Sequence, residues 1–273
     1  MKEGMKNLTA IQVASVRIIS SGLVLLPVAY RSFVKVQGAK IPVIFLSGLL
    51  GSLLPAYLFC IAEQTVGSAL AGTLNSLTPI FVIIIGSVLF AVKTSKERII
   101  GISIAFGGTI LLCISQPGTE AYSNLNGVIM IVLATIMYGM NVNIVQRYLQ
   151  YLNPVNIASI AFCLNGIPAL IILLISGYFK QDIMQTGILM STFYSLLLGI
   201  IGTALATILF YTLIRRSGAV FSSMVTYLIP VVANIWGLIY GENIGWLQVI
   251  SLLVILIGVF VASQWTYFKK VRV

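Results

Sequence analysis

Long apolar runs recur along the whole of this 273-residue chain, and they restrict its fold more than any other feature. About 20 residues of helix cross the ~30 Å hydrocarbon core of a bilayer. Nine stretches are candidates for such spans: residues 11–30, 41–62, 68–92, 99–115, 125–146, 154–178, 188–213, 218–240 and 246–267. Uninterrupted runs of this length predict helices rather than barrel strands, because helices satisfy their backbone polar groups within one segment. We therefore expect an all-α integral membrane protein.

The shortage of charge excludes a water-soluble fold. Only 8% of the residues are charged and 59% are hydrophobic, whereas roughly a quarter of a soluble domain is charged. The first apolar run contains Arg17 and leads directly into further spans, which is unlike a cleaved signal peptide. The net charge of +10 does not indicate nucleic acid as a partner, because the positive charges lie in short loops between spans.

The distribution of these charges predicts the orientation of the chain. Of the 16 Lys and Arg residues, 12 lie in loops or in the tail on one side of the nine spans. They are Arg31, Lys35, Lys40, Lys93, Lys96, Arg98, Arg147, Arg215, Arg216, Lys269, Lys270 and Arg272. Short loops rich in Lys and Arg stay in the cytoplasm. We therefore expect a multi-pass protein of the inner or plasma membrane with a cytoplasmic C-terminus and an external N-terminus.

Two closely similar twelve-residue stretches occur in the chain. Residues 48–59 read GLLGSLLPAYLF, and residues 199–210, which lie 151 positions later, read GIIGTALATILF. The same shift places Pro79 on Pro230 without a gap, which predicts an internal duplication. The copies begin five spans apart, and because five is odd they enter the membrane from opposite sides. This arrangement is the inverted-topology repeat of many secondary transporters.

The duplication predicts two halves of unequal length. The first half, residues 1–116, has four spans, and the second half, residues 125–273, has five. A counterpart of span 125–146 would precede residue 11, where only MKEGMKNLTA is present. Either the chain begins one helix late or it is a nine-helix variant, and we favour the first alternative.

Two corresponding sets of residues are similar to a known family pattern. They are Ala69 to Pro79 with Gly86, Gly101 and Gly107–Gly108, and Ala219 to Pro230 with Gly237, Glu242 and Gly258. In these residues, and over almost its whole length, the chain resembles the EamA-type proteins of the drug/metabolite transporter superfamily. The resemblance implies ten helices in two inverted five-helix halves, and the export of amino acids and other small metabolites.

The chain departs from the family pattern in two places. The first family helix is absent. The acidic residue that usually follows the fourth helix of each half matches Glu242 in the second half, but in the first half its place falls near Val92 and Lys93.

Polar side chains inside the spans are the candidates for substrate binding, because such groups are costly in lipid and tend to line a cavity or pair with each other. The uncharged candidates are Asn75, Tyr138, Asn141, Asn165, Tyr227 and Asn234. Tyr138 and Asn141 share a helix face, as do Tyr227 and Asn234. Amides and phenols offer donors and acceptors to a zwitterionic substrate. The alternative is that these residues only join helices to one another.

Arg17 is the only charge well inside a predicted span. Its planar guanidinium suits a substrate carboxylate, and the family often has an arginine here. The alternatives are a structural ion pair, or a side chain that snorkels toward the outer interface.

The prolines inside predicted spans include Pro55, Pro79, Pro168 and Pro230. Each frees a backbone carbonyl and permits a kink. We interpret Pro79 and Pro230, which are repeat partners, as paired hinges or helix breaks. Irregular packing is the alternative.

The positions of the acidic residues limit how transport could be coupled to protons. None of the six acids lies near mid-membrane, and the chain has no histidine. Glu63 and Glu242, at outer helix ends, are the only candidates for proton coupling, so we expect facilitated diffusion or weak coupling. The chain has no GxxxxGK[ST] phosphate loop, which disfavours an ATP-driven pump. Its three cysteines have no metal-ligand spacing, so we expect no metal and no cofactor.

The sequence thus predicts a secondary carrier of small polar metabolites that works by alternating access, and the resemblance implies amino acids as its substrates. A membrane-embedded enzyme is disfavoured, since no nucleophile, base or metal cluster is evident. A truncated, non-transporting remnant or assembly partner is the other alternative. The expected partners are a small-molecule substrate and the lipid bilayer, and a homodimer is left open.

Overall fold

The computed structural model describes residues 3–66, 68–115, 125–229, 231–232 and 245–271, and the fold below concerns these residues. They form helices joined by short turns, without a β-strand in the described part of the chain. The α-helices are α1 Ala10–Lys35, α2 Ile41–Gly48, α3 Leu54–Ala62, α4 Ser68–Asn75, α5 Thr78–Phe90, α6 Lys96–Ile114, α7 Leu125–Ile144, α8 Pro154–Ile175, α9 Thr186–Gly199, α10 Ala206–Ser217, α11 Ala219–Ser223 and α12 Trp246–Val271.

Five continuous helical runs of the described residues are long and apolar enough to cross a membrane. They are Ala10–Lys35, Gly38–Ala62, Leu125–Leu149, Pro154–Ile175 and Thr186–Ser217. Two shorter apolar helices are Thr78–Phe90 and Trp246–Ala262. The prediction of an all-helical membrane fold is confirmed. The count of nine spans stays a prediction, because much of the predicted span 218–240 lies outside the described residues.

Three of these runs contain a π-helical segment, in which the backbone hydrogen bonds reach five residues back instead of four. The first π segment, Leu49–Leu53, joins α2 to α3, and the second, Ile200–Leu205, joins α9 to α10. Leu54 N–H donates to the Leu49 carbonyl in the first, and Ala206 N–H donates to the Ile201 carbonyl in the second. The third π segment, Val145–Leu149, follows α7. The first two lie at the same place in the repeated twelve-residue stretch, which the apolar pattern did not predict.

The predicted span 68–92 is interrupted. Helix α4 ends at Asn75, and α5 begins at Thr78 after a turn at Ser76 and Leu77. The corresponding part of the second half also changes its winding, because α11 is followed by a 3-10 turn over Met224–Tyr227. Both changes occur just before the repeat-partner prolines in the sequence. The interpretation of Pro79 and Pro230 as paired hinges stays a prediction.

The chain divides by packing into two compact units. The first unit is Met1–Gln64 with Ile144–Gly218, and the second unit is Thr65–Asn143 with Ala219–Val273. The first unit takes one stretch from each predicted half, whereas the second unit combines part of the first half with both ends of the second half, because Thr65–Asn143 includes residues 125–143. These units are defined by packing, whereas the halves 1–116 and 125–273 were defined by the internal repeat. The halves therefore stay a prediction.

In the first unit, α1 packs along α8 in the antiparallel direction. Gln12 Nε2 donates to the Ser176 carbonyl at 3.2 Å, and Ser32 Oγ donates to Asn156 Oδ1 at 3.0 Å. Helix α1 begins at a capping box, in which Thr9 and Gln12 each accept a hydrogen bond from the backbone N–H of the other. The capping box thereby fixes the residue at which α1 begins.

In the second unit, α6 and α12 are in close backbone contact. A Cβ added at Gly101 would lie 2.7 Å from the Gly258 carbonyl oxygen, and a Cβ added at Gly258 would lie 2.7 Å from Ala105 Cα. Small residues allow such approach between membrane helices. Helix α7 is joined to α5 by Asn143, whose Nδ2 donates to the Val82 carbonyl at 3.0 Å.

Candidate functional site

Arg17 lies in α1 of the first unit and donates a hydrogen bond to a neighbouring helical run. Its Nε lies 2.5 Å from Thr203 Oγ1, in the second π segment. Thr203 is buried, with 4% of its surface exposed, whereas Arg17 is partly exposed. Among the described residues, no carboxylate lies within ion-pairing distance of Arg17. The described part of the chain therefore gives this cation a neutral partner.

The contact between α1 and α9 explains how Thr203 reaches Arg17. Asn7 Nδ2 donates to the Gly187 carbonyl at 3.1 Å, and further along Ser21 Oγ donates to the Gly199 carbonyl at 2.8 Å. The two helices therefore run in the same direction. Gly199 faces the Arg17 carbonyl so closely that any Cβ there would overlap it. The glycine permits the close approach.

Two hydroxyl pairs in the first unit were not selected by sequence reasoning. Ser15 Oγ and Tyr57 Oη lie 2.6 Å apart and join α1 to α3. Ser47 Oγ and Tyr211 Oη lie 3.1 Å apart and join α2 to α10. The available signal was the presence of hydroxyl side chains inside apolar spans, but that signal does not identify the partners.

Asn165 takes part in helix packing. Its side chain is fully buried, and Nδ2 donates to the Phe45 carbonyl at 3.2 Å and to the Ala161 carbonyl at 2.8 Å. Gly48 leaves the space that the amide occupies. Asn165 Oδ1 is buried without a hydrogen-bond partner among the described residues. Both donors of the amide are therefore committed to backbone carbonyls.

Asn143 of the second unit has the same arrangement, although sequence reasoning did not select it as a site residue. Its Nδ2 donates to the Gly139 carbonyl four residues back at 2.8 Å, as well as to Val82 on α5. Gly86 lies opposite its amide. Asn143 and Asn165 thus each join two helices across a glycine.

The second unit contains the other described candidates. Tyr138 is partly exposed and Asn141 is buried, and their spacing of three places them on one face of α7. Tyr227 is fully buried, and its hydroxyl donates to the Ile102 carbonyl at 3.2 Å. Asn75 ends α4, and its backbone carbonyl accepts from Thr78 Oγ1 at 2.7 Å. Asn234 lies outside the described residues.

The predicted hinge prolines have different local settings. Pro55 is the second residue of α3, directly after the first π segment, and Pro79 is the second residue of α5. Pro168 lies inside α8 and lines a groove of about 510 Å³ between α2 and α8. The lining of this groove is apolar throughout, so it has no donors for a polar metabolite. Pro230 lies outside the described residues.

The two acids considered for proton coupling are described only in part. Glu63 follows the last residue of α3 and is partly exposed, which agrees with its predicted place at a helix end. Glu242 lies outside the described residues. No cluster of three or more His, Cys, Asp or Glu side chains occurs in the part of the chain that the structure describes.

Comparison with known proteins gives a family match for this chain. The model of the EamA-like transporter family matches residues 1–114 and 125–264, which together form most of the chain.

Two relatives are similar over nearly the full length. An uncharacterized transporter of Archaeoglobus fulgidus is 24% identical over 266 residues, covering 97% of this chain and 92% of the relative. The uncharacterized inner membrane transporter YedA of Escherichia coli K12 is 25% identical over 273 residues, covering 97% of this chain and 85% of the relative. A solved crystal structure of a protein superposes with a TM-score of 0.72 at 16% identity, covering 98% of this chain and 92% of that chain. That likeness shows a shared fold.

Proposed function

The chain belongs to the EamA-like transporter family, and from that premise we propose that it is a secondary transporter that exports small polar metabolites. Amino acids are the first class to test. The observation that carries the proposal is the family match over residues 1–114 and 125–264. Two relatives along nearly the whole chain are named as transporters, which is a class of proteins distinct from enzymes.

The proposed mechanism is alternating access of two inverted halves. Two like halves that face opposite ways exchange conformations, and the exchange opens the substrate path to each side of the membrane in turn. The similar stretches 48–59 and 199–210 support this mechanism, because both change from α to π winding at the same place. The break before Pro79 supports a hinge there.

The proposed binding residues are polar side chains that lie inside the spans, where such groups tend to line a cavity. In the first unit this residue is Arg17, and in the second unit they are Asn75, Tyr138 and Asn141. Asn234 is proposed from its sequence position. Asn165 and Tyr227 are assigned to packing instead, because their donors are bonded to backbone carbonyls.

Efflux from proteoliposomes tests the proposal. The full chain is reconstituted into vesicles loaded with the standard amino acids and a pool of small metabolites, and mass spectrometry identifies what leaves. Measurements are made with and without a proton gradient, and protein-free vesicles give the leak.

Saturable efflux of a subset of the pool supports a carrier and names its substrates. Absence of efflux from folded, reconstituted protein contradicts the proposal. That result favours the alternative of a non-transporting assembly partner.

A further inference from the structure

We propose that Thr203 is a positioning residue that holds the Arg17 guanidinium toward the anionic group of the substrate. The pair then selects metabolites that carry a carboxylate over analogues in which that group is uncharged. The inference rests on the proposed transport function and adds the chemical class of the substrate.

The charge of Arg17 requires compensation. Arg17 lies in an apolar helix long enough to cross the membrane, where a cation without a partner is costly. The described residues supply the hydroxyl of Thr203, which carries no charge, and no carboxylate within ion-pairing distance. A substrate carboxylate supplies the missing charge when it binds.

The direction of the Arg17 side chain argues against snorkelling. Arg17 lies about 10 Å beyond the start of α1 at a rise of 1.5 Å per residue. Helix α9 runs parallel to α1, and the Arg17 carbonyl already meets Gly199. Thr203 lies one turn deeper than Gly199, so the side chain extends away from the near end of α1. A snorkelling arginine would turn toward that end.

The hydrogen bond from Nε to Thr203 does not involve the edge of the guanidinium that carries the two terminal nitrogens, and an anion can bind at that edge. A guanidinium has five N–H donors in one plane, and carboxylates bind two parallel donors. Thr203 accepts from Nε and is the only described residue that accepts from this side chain. The two terminal nitrogens thus remain for a planar, bidentate contact.

The second π segment fixes the Thr203 hydroxyl in the accepting orientation. Thr203 Oγ1 donates its own hydrogen to the Leu198 carbonyl, five residues back, at 3.2 Å. In α-helices such hydroxyls usually bond three or four residues back. With its hydrogen committed to Leu198, the oxygen presents lone pairs to Arg17 Nε.

The repeat provides a matched control. Ser52 occupies the place in the first π segment that Thr203 occupies in the second, and it is also buried. Arg17 bonds to Thr203 and not to Ser52. Removing either hydroxyl perturbs a buried π segment, but only the loss of Thr203 affects Arg17.

The test measures selectivity in proteoliposomes loaded with equal concentrations of the standard amino acids and their carboxamides. The variants are Arg17→Gln, Thr203→Val, Thr203→Ala, Thr203→Ser and the control Ser52→Ala. Loss of one hydrogen bond to a charged group is expected to raise the KM for amino acids about tenfold in Thr203→Val. Carboxamide efflux and the maximal rate should stay close to wild type, and Thr203→Ser should restore the KM. Thr203→Ala is a second hydroxyl-free variant if Thr203→Val does not fold.

The inference is supported by three results together. Arg17→Gln loses the preference for amino acids over their carboxamides, the variants without the Thr203 hydroxyl weaken it, and Ser52→Ala keeps it. The inference is overturned if Arg17→Gln keeps the preference, or if the Thr203 and Ser52 variants behave alike. If the wild-type protein transports neither amino acids nor carboxamides, the proposed function fails. The inference is then tested separately by thermal stabilisation of the purified protein by amino acids. Stabilisation that equals that of the carboxamides, or that survives in Arg17→Gln, overturns it.

Discussion

Single asparagines in this protein show why residue identity alone does not separate binding from packing. Asn165 and Asn143 each bond to a carbonyl in their own helix and to one in a neighbour, opposite Gly48 and Gly86. A substrate-binding amide and a packing amide have the same chemistry and the same cost in lipid. The sequence therefore identified Asn165 as polar and intramembrane, but the carbonyls that it contacts come from distant residues.

Asn165→Ala tests the packing role. We expect a loss of stability of about 0.6 kcal/mol, the average for interhelical hydrogen bonds in membranes. The loss is small because burial of Oδ1, which has no hydrogen-bond partner among the described residues, offsets part of the stabilisation from the Nδ2 hydrogen bonds. The measurement is thermal unfolding of the purified protein in detergent. Substrate affinity should stay at the wild-type value, whereas Asn141→Ala should lower it. A loss of affinity in Asn165→Ala without a loss of stability would contradict this assignment.

Helices are the scale at which the sequence was most informative. The predicted spans 41–62 and 154–178 correspond to Gly38–Ala62 and Pro154–Ile175, because length and apolarity determine both. The π segments were not located from the sequence. Apolar residues fill α and π turns equally well, so hydropathy carries no signal for a change in winding.

Substitution of Gly199 tests the close contact between α1 and α9. The added methyl group of Gly199→Ala would overlap the Arg17 carbonyl and Ser20, and overpacking of this kind typically costs about 1–3 kcal/mol. Unfolding in detergent measures the loss.

Gly166→Ala in α8 is the control for this substitution. A Cβ at Gly166 meets nothing within 4 Å, and alanine is favoured over glycine in a helix by about 1 kcal/mol. We expect Gly166→Ala to be neutral or stabilising. Equal destabilisation by both substitutions would show that the α1–α9 contact is not the cause.

At the scale of the whole molecule, the two compact units each draw on both halves of the sequence. The repeat at a spacing of 151 residues predicted a duplication, but it did not predict which helices pack together. Neighbours in three dimensions depend on contacts such as Gln12 with Ser176, between residues far apart in the chain. Composition determined the membrane class, and the packing had to come from the structure.

Labelling tests the predicted orientation. Gln37 and Met184 are exposed in turns separated by five predicted spans. In a cysteine-free background, a membrane-impermeant maleimide should label Gln37→Cys only from the cytoplasmic side and Met184→Cys only from outside. Labelling of both from one side would contradict the predicted number of spans between them.

Proton coupling is the remaining prediction at this scale. None of the six acids lies at mid-span in the predicted topology. We therefore expect a proton gradient to change efflux little, and any dependence to disappear in Glu63→Gln combined with Glu242→Gln. The measurement is efflux at matched and unmatched pH across the vesicle membrane. Gradient-driven efflux that persists undiminished in the double variant would exclude these two acids as the coupling groups.

The paired π segments also have a historical consequence. A π turn holds an extra residue relative to an α turn, so each copy carries what amounts to a one-residue insertion at the same place. If residues 48–59 and 199–210 descend from one ancestral segment, that insertion is older than the gene duplication. The ancestor would then have been a half-length chain that inserted into membranes in both orientations. On the same condition, Ser52 and Thr203 would descend from one hydroxyl, and among the described residues only Thr203 bonds to Arg17.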